Sequence, residues 1–214
     1  MDVLSRIREV IAADPNDPQL DKFLGEVRDG LAASNKQFHT YSVLIIAALV
    51  TYHLVVYEGA SGVSFNSIQI SNTLLFRRVF LLFPAALIAA VASVRYLSRI
   101  QREVYDFLTI SRYRVLGKTG LHELRLPPDY ILGLFILGIE GGLLGKVVSV
   151  SVALLSLAVF VFGPAAYVIS EAAINLRTFG ISDILCLFTS STAIVLSVCG
   201  LIIIGLSGRI KASP

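Results

Sequence analysis

Few residues in this chain have the type and spacing to do chemistry, and most sit where apolar stretches end. His53 lies inside such a stretch, about one helical turn from its end. A histidine there can relay a proton, or it can simply hydrogen-bond across a helix bundle. Glu58, Glu171, Arg77, Arg78 and Arg177 fall where apolar runs meet their loops. They can pair as ions in one outer charged layer, or ring a pore mouth if the chain oligomerises. The cysteines, Cys186 and Cys199, lie thirteen residues apart in one apolar run, too far along a helix to pair with each other. The three histidines are scattered, and no metal-ligand spacing, nucleophile elbow or pair of intramembrane carboxylates is visible. The deep polar cluster that an intramembrane protease or lipid transferase needs is not apparent either. The expectation is a non-enzymatic protein with no cofactor.

The segment Gly117-Lys118-Thr119 has the end of a phosphate-binding loop but not its beginning. The motif needs a glycine where this chain has Arg112, and a preceding strand. The basic stretch Arg95, Arg99, Arg102, Arg112, Arg114 and Lys118 is a better anion contact. Basic residues beside a membrane attract anionic lipid at about 1 kcal/mol each. The plainer reading is ordinary anchoring on the cytosolic side. A nucleotide second messenger or a cytosolic protein partner are alternatives, and no nucleic-acid partner is expected. Glu140 is followed by Gly141 and Gly142, a candidate hinge. Gly138, Gly141, Gly142 and Gly145 also give smooth faces for close helix contact. Ser190, Ala193, Ser197 and Gly200 form one stripe of small residues, and Ser149, Ala153, Ser156 and Gly163 form another. Such stripes favour tight packing, and they line a pore only sometimes; Ser190 and Ser197 join His53 as candidate polar residues of the membrane interior.

What must position these residues is a set of apolar runs. Four stand out: Tyr41–Tyr57, Val79–Tyr96, Val147–Ile169 and Ile184–Ser207. A bilayer core roughly 30 Å thick takes about 20 apolar residues of helix to cross. A chain of 214 residues that is 55% hydrophobic, with a mean hydropathy of +0.77, fits a polytopic membrane protein and not a single soluble domain. The charged start, with Asp2, Arg6, Arg8 and Glu9, is unlike a cleavable signal peptide, so the first run is expected to act as insertion signal. Of the chain's 18 lysines and arginines, only Arg77, Arg78 and Arg177 fall between runs one and two or three and four. The other fifteen lie before run one, in the central segment with its flanking helix ends, or after run four. The positive-inside rule therefore puts both termini and the central segment in the cytoplasm, most simply across a bacterial inner membrane.

The expected fold class is an all-α membrane protein: four transmembrane helices as two hairpins, with cytosolic amphipathic helices. Residues 1–38 form a cytosolic helical pair, 39–96 the first hairpin, 97–145 a cytosolic segment, 146–208 the second hairpin and 209–214 a tail. Leu4, Ile7, Val10 and Ile11 give the first short helix its apolar side. Asp17-Pro18 caps the next, whose stripe is Leu20, Phe23, Leu24, Val27 and Leu31. That stripe must pack on the central segment, another subunit or the membrane surface. Helix two is expected to continue into the cytosol through Leu97, Ile100, Val104, Phe107 and Leu108, with Arg99, Arg102, Glu103 and Asp106 facing away. Tyr130–Gly145 is apolar but short, and is interfacial, re-entrant or buried in the cytosol. Ile70-Ser71-Asn72 and Ile181-Ser182-Asp183 precede the two return helices, which admits a parallel internal repeat. Yet any two membrane hairpins share a polar turn, a cap and basic ends.

The function expected from this pattern is sensing or transmitting a state between membrane and cytosol by a homo-oligomer, with or without a pore that it forms or gates. In general form it resembles small bacterial four-span proteins that act in antiviral defence, an analogy of architecture alone. A membrane anchor for a cytosolic partner enzyme and a small transporter are the other readings. The bilayer, with its anionic lipids, is the expected partner throughout.

Overall fold

A computed structural model of the chain describes residue 9 and residues 18–58, 64–65, 68–69, 73–113 and 142–207. The short helix over 2–13, the turns at 117–120 and 126–129, the 130–141 stretch and the tail lie outside them, as do Ser71 and Asn72. Helices dominate: α1 is Pro18–Tyr57, α2 Thr73–Val79, α3 Leu82–Arg112, α4 Gly142–Leu157, α5 Gly163–Phe179 and α6 Ile184–Ser207. Between α1 and α2 two strands of two residues pair antiparallel, Ser64 with Gln69 and Phe65 with Ile68. Four stretches are long and apolar enough to cross a membrane: Pro18–Tyr57, Thr73–Ser111, Gly142–Phe179 and Ile184–Ser207. The chain is an integral membrane protein on that ground.

Helix α1 has 40 residues. At 1.5 Å per residue it measures about 60 Å, roughly twice the apolar thickness of a bilayer. Sequence reasoning divided this stretch into a cytosolic helix and a span. No glycine or proline lies between Leu31 and Tyr41, so nothing in the covalent chain stops the helix there. Pro18 opens it, at the position where a missing N–H costs least. Helix two was expected to start at Val79; instead α2 ends there and α3 starts at Leu82. Pro84 accounts for the break. Its ring would clash with the carbonyl of Phe80 in an unbroken helix, so it takes the first turn of a new one.

The third span departs from regularity too. Between α4 and α5, Ala158–Phe162 forms a π-helical turn. Pro164 follows it, and its ring would meet the carbonyl of Phe160 in a plain α-helix. Gly163 makes the turn fit, since a Cβ on it would stand 2.9 Å from the Ala158 carbonyl oxygen. The span then runs on to Phe179, ten residues past the expected end at Ile169. Gly180, at φ 75°, ends α5 with its N–H on the Leu176 carbonyl, 3.1 Å away. Asp183 then caps α6 by accepting the Cys186 N–H at 3.0 Å.

The chain divides into two compact units. One comprises residues 38–93 and 154–204. Its core is Ile45 and Tyr52 of α1, Leu81, Ala85, Ile88 and Val91, Ala165, Val168 and Ala172 of α5, and Ala193 of α6. Helices α3 and α6 meet closely, because Gly200 lacks a side chain. A Cβ there would lie 3.1 Å from Cγ2 of Ile88 and 3.4 Å from its carbonyl oxygen.

The other unit takes the described residues among 1–37, 94–153 and 205–214. Here Leu20, Val27 and Leu31 of α1 pack with Val104, Tyr105 and Leu108 of α3. The Tyr113 hydroxyl donates to Asp21 at 2.8 Å, and the Ser34 hydroxyl donates to Oε1 of Gln101 at 3.2 Å. Numbers rise along one helix as they fall along the other, so these stretches run antiparallel. Of the three candidate partners for the α1 stripe, the chain's own central segment is the one in contact. The expected α3 stripe is shifted: Leu97 is 50% exposed, whereas Glu103, expected to face away, is 8% exposed. Glu103 tolerates that position by pairing with Arg99 one turn earlier, at 2.7 Å.

Candidate functional site

The described residues gather their polar side chains at one end of the first unit, where α1 and α5 finish and α2 and α6 begin. Helical spacing does the gathering. Tyr167, Glu171 and Asn175 recur every four residues on α5, and so share one face. His53 and Tyr57 are four apart on α1, with Tyr52 beside them.

Asn175 is fully buried and is the centre of one group. Its side-chain oxygen accepts from Nε of Arg77 at 2.9 Å. Its amide donates to the Arg77 carbonyl at 2.9 Å and to the Tyr52 hydroxyl at 3.2 Å. The arginine is thus held by both its backbone and its head. Tyr52 itself is sealed by rings, stacking on Phe76 and Phe80 with centroids 6.1 and 6.3 Å away.

One turn earlier on α5 is Glu171, 6% exposed. The Tyr57 hydroxyl lies 2.8 and 2.9 Å from its two oxygens and shares its single proton between them. Among the described residues no Lys, Arg or His stands within ion-pair distance of it. A hydrogen bond to a charged group contributes about 1.5–3 kcal/mol, against a penalty of several kcal/mol for burying the charge. The tyrosine partner of this carboxylate belongs to a group of rings. His53 lies 5.0 Å from Tyr57 and 6.3 Å from Tyr167, and Tyr52 lies 6.4 Å from Tyr167, centroid to centroid. Nδ1 of His53 and the Tyr167 hydroxyl are 3.1 Å apart and share a hydrogen bond whose direction depends on the histidine tautomer.

An ion pair at the same end joins the last turn of α2 to the cap of α6. Nε of Arg78 stands 3.0 Å from Asp183, and the Arg78 guanidinium lies 4.7 Å above the Phe179 ring. The Thr189 hydroxyl reaches the Arg78 carbonyl. Arg77 and Arg78 therefore belong to a helix, not to a loop, and each has a partner sequence reasoning did not assign. Arg177 is exposed and touches none of these groups. Arg77 shares the Phe179 ring with Arg78, 5.7 Å from its centroid, while Glu171 is held by a tyrosine.

The remaining candidates fall elsewhere. Ser190 and Ser197 are buried on the packed face of α6, and Ser190 Oγ lies 3.7 Å from Sγ of Cys186. Arg95, Arg99 and Arg102 are half-buried on α3 in the other unit. Arg112 ends that helix, and Arg114 and Lys118 are outside the described residues. Gly142 opens α4 at φ 59°, a backbone angle suited to a bend, while Gly141 is not described. Among the described residues no three His, Cys, Asp or Glu side chains come together as metal ligands.

The cluster lies at the helix ends where Glu171, Arg77 and Arg78 were expected, and it contains uncharged residues that the sequence did not point to. Its members Tyr52, Tyr57, Tyr167 and Asn175 went unnoticed because tyrosine and asparagine carry no charge signal. The four-residue spacing through Glu171 was the available clue, hidden by ending the third span at Ile169. No family model, curated protein or solved structure matches the chain.

Proposed function

We propose that this chain is a non-enzymatic membrane protein that transmits a state between its membrane-embedded unit and its second unit. One observation carries the reading: α1 and α3 are each single helices whose residues are divided between both units. Packed helices shift between discrete arrangements, so a displacement at one end of such a helix arrives at the other. The reading includes both termini in the cytoplasm of a bacterial cell, from the basic residues, and spans arranged as two hairpins that repeat in parallel. It also includes a homo-oligomer. The burial of Ser190 and Ser197 supports helix packing over a pore lined by them. A small transporter is the second reading, favoured by Glu171, because a carboxylate within a spanning helix marks ion and substrate pathways.

The test uses spin labels at Lys22→Cys and Ile110→Cys, both exposed positions of the second unit, with Cys186→Ala and Cys199→Ser as background. Glu171→Gln should change the inter-label distance by about 1–2 Å, the scale of helix shifts. Ser98→Pro, which removes an α3 hydrogen bond at about 3 kcal/mol, should abolish that change while membrane insertion persists. An inter-label distance indifferent to Glu171→Gln overturns the transmission reading.

A further inference from the structure

We infer that Glu171 and the rings beside it form a binding site for a small aryl-substituted organic ammonium ion, entering past Tyr57. The carboxylate is buried, and among the described residues no side-chain cation pairs with it. The guanidinium of Arg77 is committed to Asn175, one turn further along α5. What Glu171 has in place of a cation is one O–H, from a residue that ends α1 and is itself 50% exposed. Rotating Tyr57 outward frees both carboxylate oxygens without moving a helix. An ammonium N–H then takes the place of the tyrosine O–H.

The surroundings select the ligand class. The rings of Tyr57 and Tyr167 lie 5.0 and 6.3 Å from that of His53, and aromatic rings attract a cation and pack against an aryl group. A hard metal ion such as calcium or magnesium asks for six or more oxygens. Glu171 offers two, and the Tyr167 hydroxyl is already hydrogen-bonded to His53. An anion meets an unpaired carboxylate. The inference rests on the transmission reading only in making this site its input; occupancy can be measured without any transmission.

The experiment is calorimetric titration of the full-length, detergent-solubilised protein with benzylammonium, with benzoate and sodium chloride as controls. Wild type should bind benzylammonium saturably, one per chain, and neither control. Glu171→Gln should weaken binding at least about tenfold. Tyr57→Ala, which loses a ring, should weaken it about threefold. Tyr57→Phe keeps the ring and removes the competing donor, so it should bind at least as tightly as wild type. Should Glu171→Gln fail to fold, the opposite effects of Tyr57→Phe and Tyr57→Ala at the exposed rim decide the matter, and weaker binding by Tyr57→Phe overturns the site. Non-saturable uptake by wild type, or a Glu171→Gln isotherm equal to wild type, overturns the site. Binding with an unresponsive label pair removes the transmission reading alone, and a responsive pair without binding removes this site alone.

Discussion

Asn175 is where single-residue chemistry matters most in the membrane unit. It satisfies a guanidinium N–H, a backbone carbonyl and a tyrosine hydroxyl at once, with no exposure to solvent. Asn175→Leu conserves approximate volume but orphans all three. Buried polar groups left unpaired cost about 1–3 kcal/mol each, and more when charged. Allowing for partial relaxation, the loss should be about 3 kcal/mol, or roughly 10 °C of melting temperature in detergent for a chain of this size. Arg177→Ala removes a full charge only two residues away, but from an exposed position, and should shift the melting temperature by under about 2 °C. Equal effects of the two substitutions would mean the Asn175 network contributes nothing. Little of this contrast was legible in sequence. The arginines drew notice because they are charged, while Asn175 lay beyond the expected end of its span. Its partners are 98 and 123 residues away in the chain, distances that no local periodicity reports.

At the scale of elements, what was legible was length and apolarity, and what was not was continuity. The four spans were visible as runs of apolar residues because water and lipid sort side chains without regard to neighbours. The ends of those runs misled, since a helix needs a reason to stop and a change to polar side chains is not one. Thus α1 crosses Ser34–Thr40 unbroken and α5 carries Glu171 and Asn175 inside it. The breaks come where backbone chemistry demands them, at Pro84 and Pro164. The small-residue stripe on α6 was legible, and its use depends on one close approach. Gly200→Val would drive a branched side chain into Ile88, whose own backbone is only 3.4 Å from the new Cβ. Overpacking of this kind costs about 1–3 kcal/mol. Gly205→Val, on the same helix with nothing within 4 Å of its would-be Cβ, should leave stability within about 0.5 kcal/mol of wild type. Thermal unfolding of the pair in one detergent separates close helix contact from the general loss of a helical glycine.

For the whole molecule the governing quantity is the placement of its cations. Fifteen of 18 lie on the side assigned to the cytoplasm, and the three exceptions need explaining. Two of them are tied down: Arg77 by Asn175, and Arg78 by Asp183 and the face of Phe179. Their positive charge is thereby spent inside the protein's own end structure, which leaves Arg177 as the exposed cation of that group. Pairing is not peculiar to that end, since Arg99 pairs with Glu103 and Arg28 with Asp29, so the proposed orientation rests on the fifteen-to-three count of basic residues. Single cysteines in the Cys186→Ala, Cys199→Ser background report the outcome in intact cells. Ile181→Cys, in the exposed link between α5 and α6, should react with a membrane-impermeant maleimide. Lys22→Cys, exposed near the start of α1, should react only after the cells are opened. The reversed pattern would place Glu171 and its rings toward the cytoplasm, and an organic cation would then have to reach them from inside the cell.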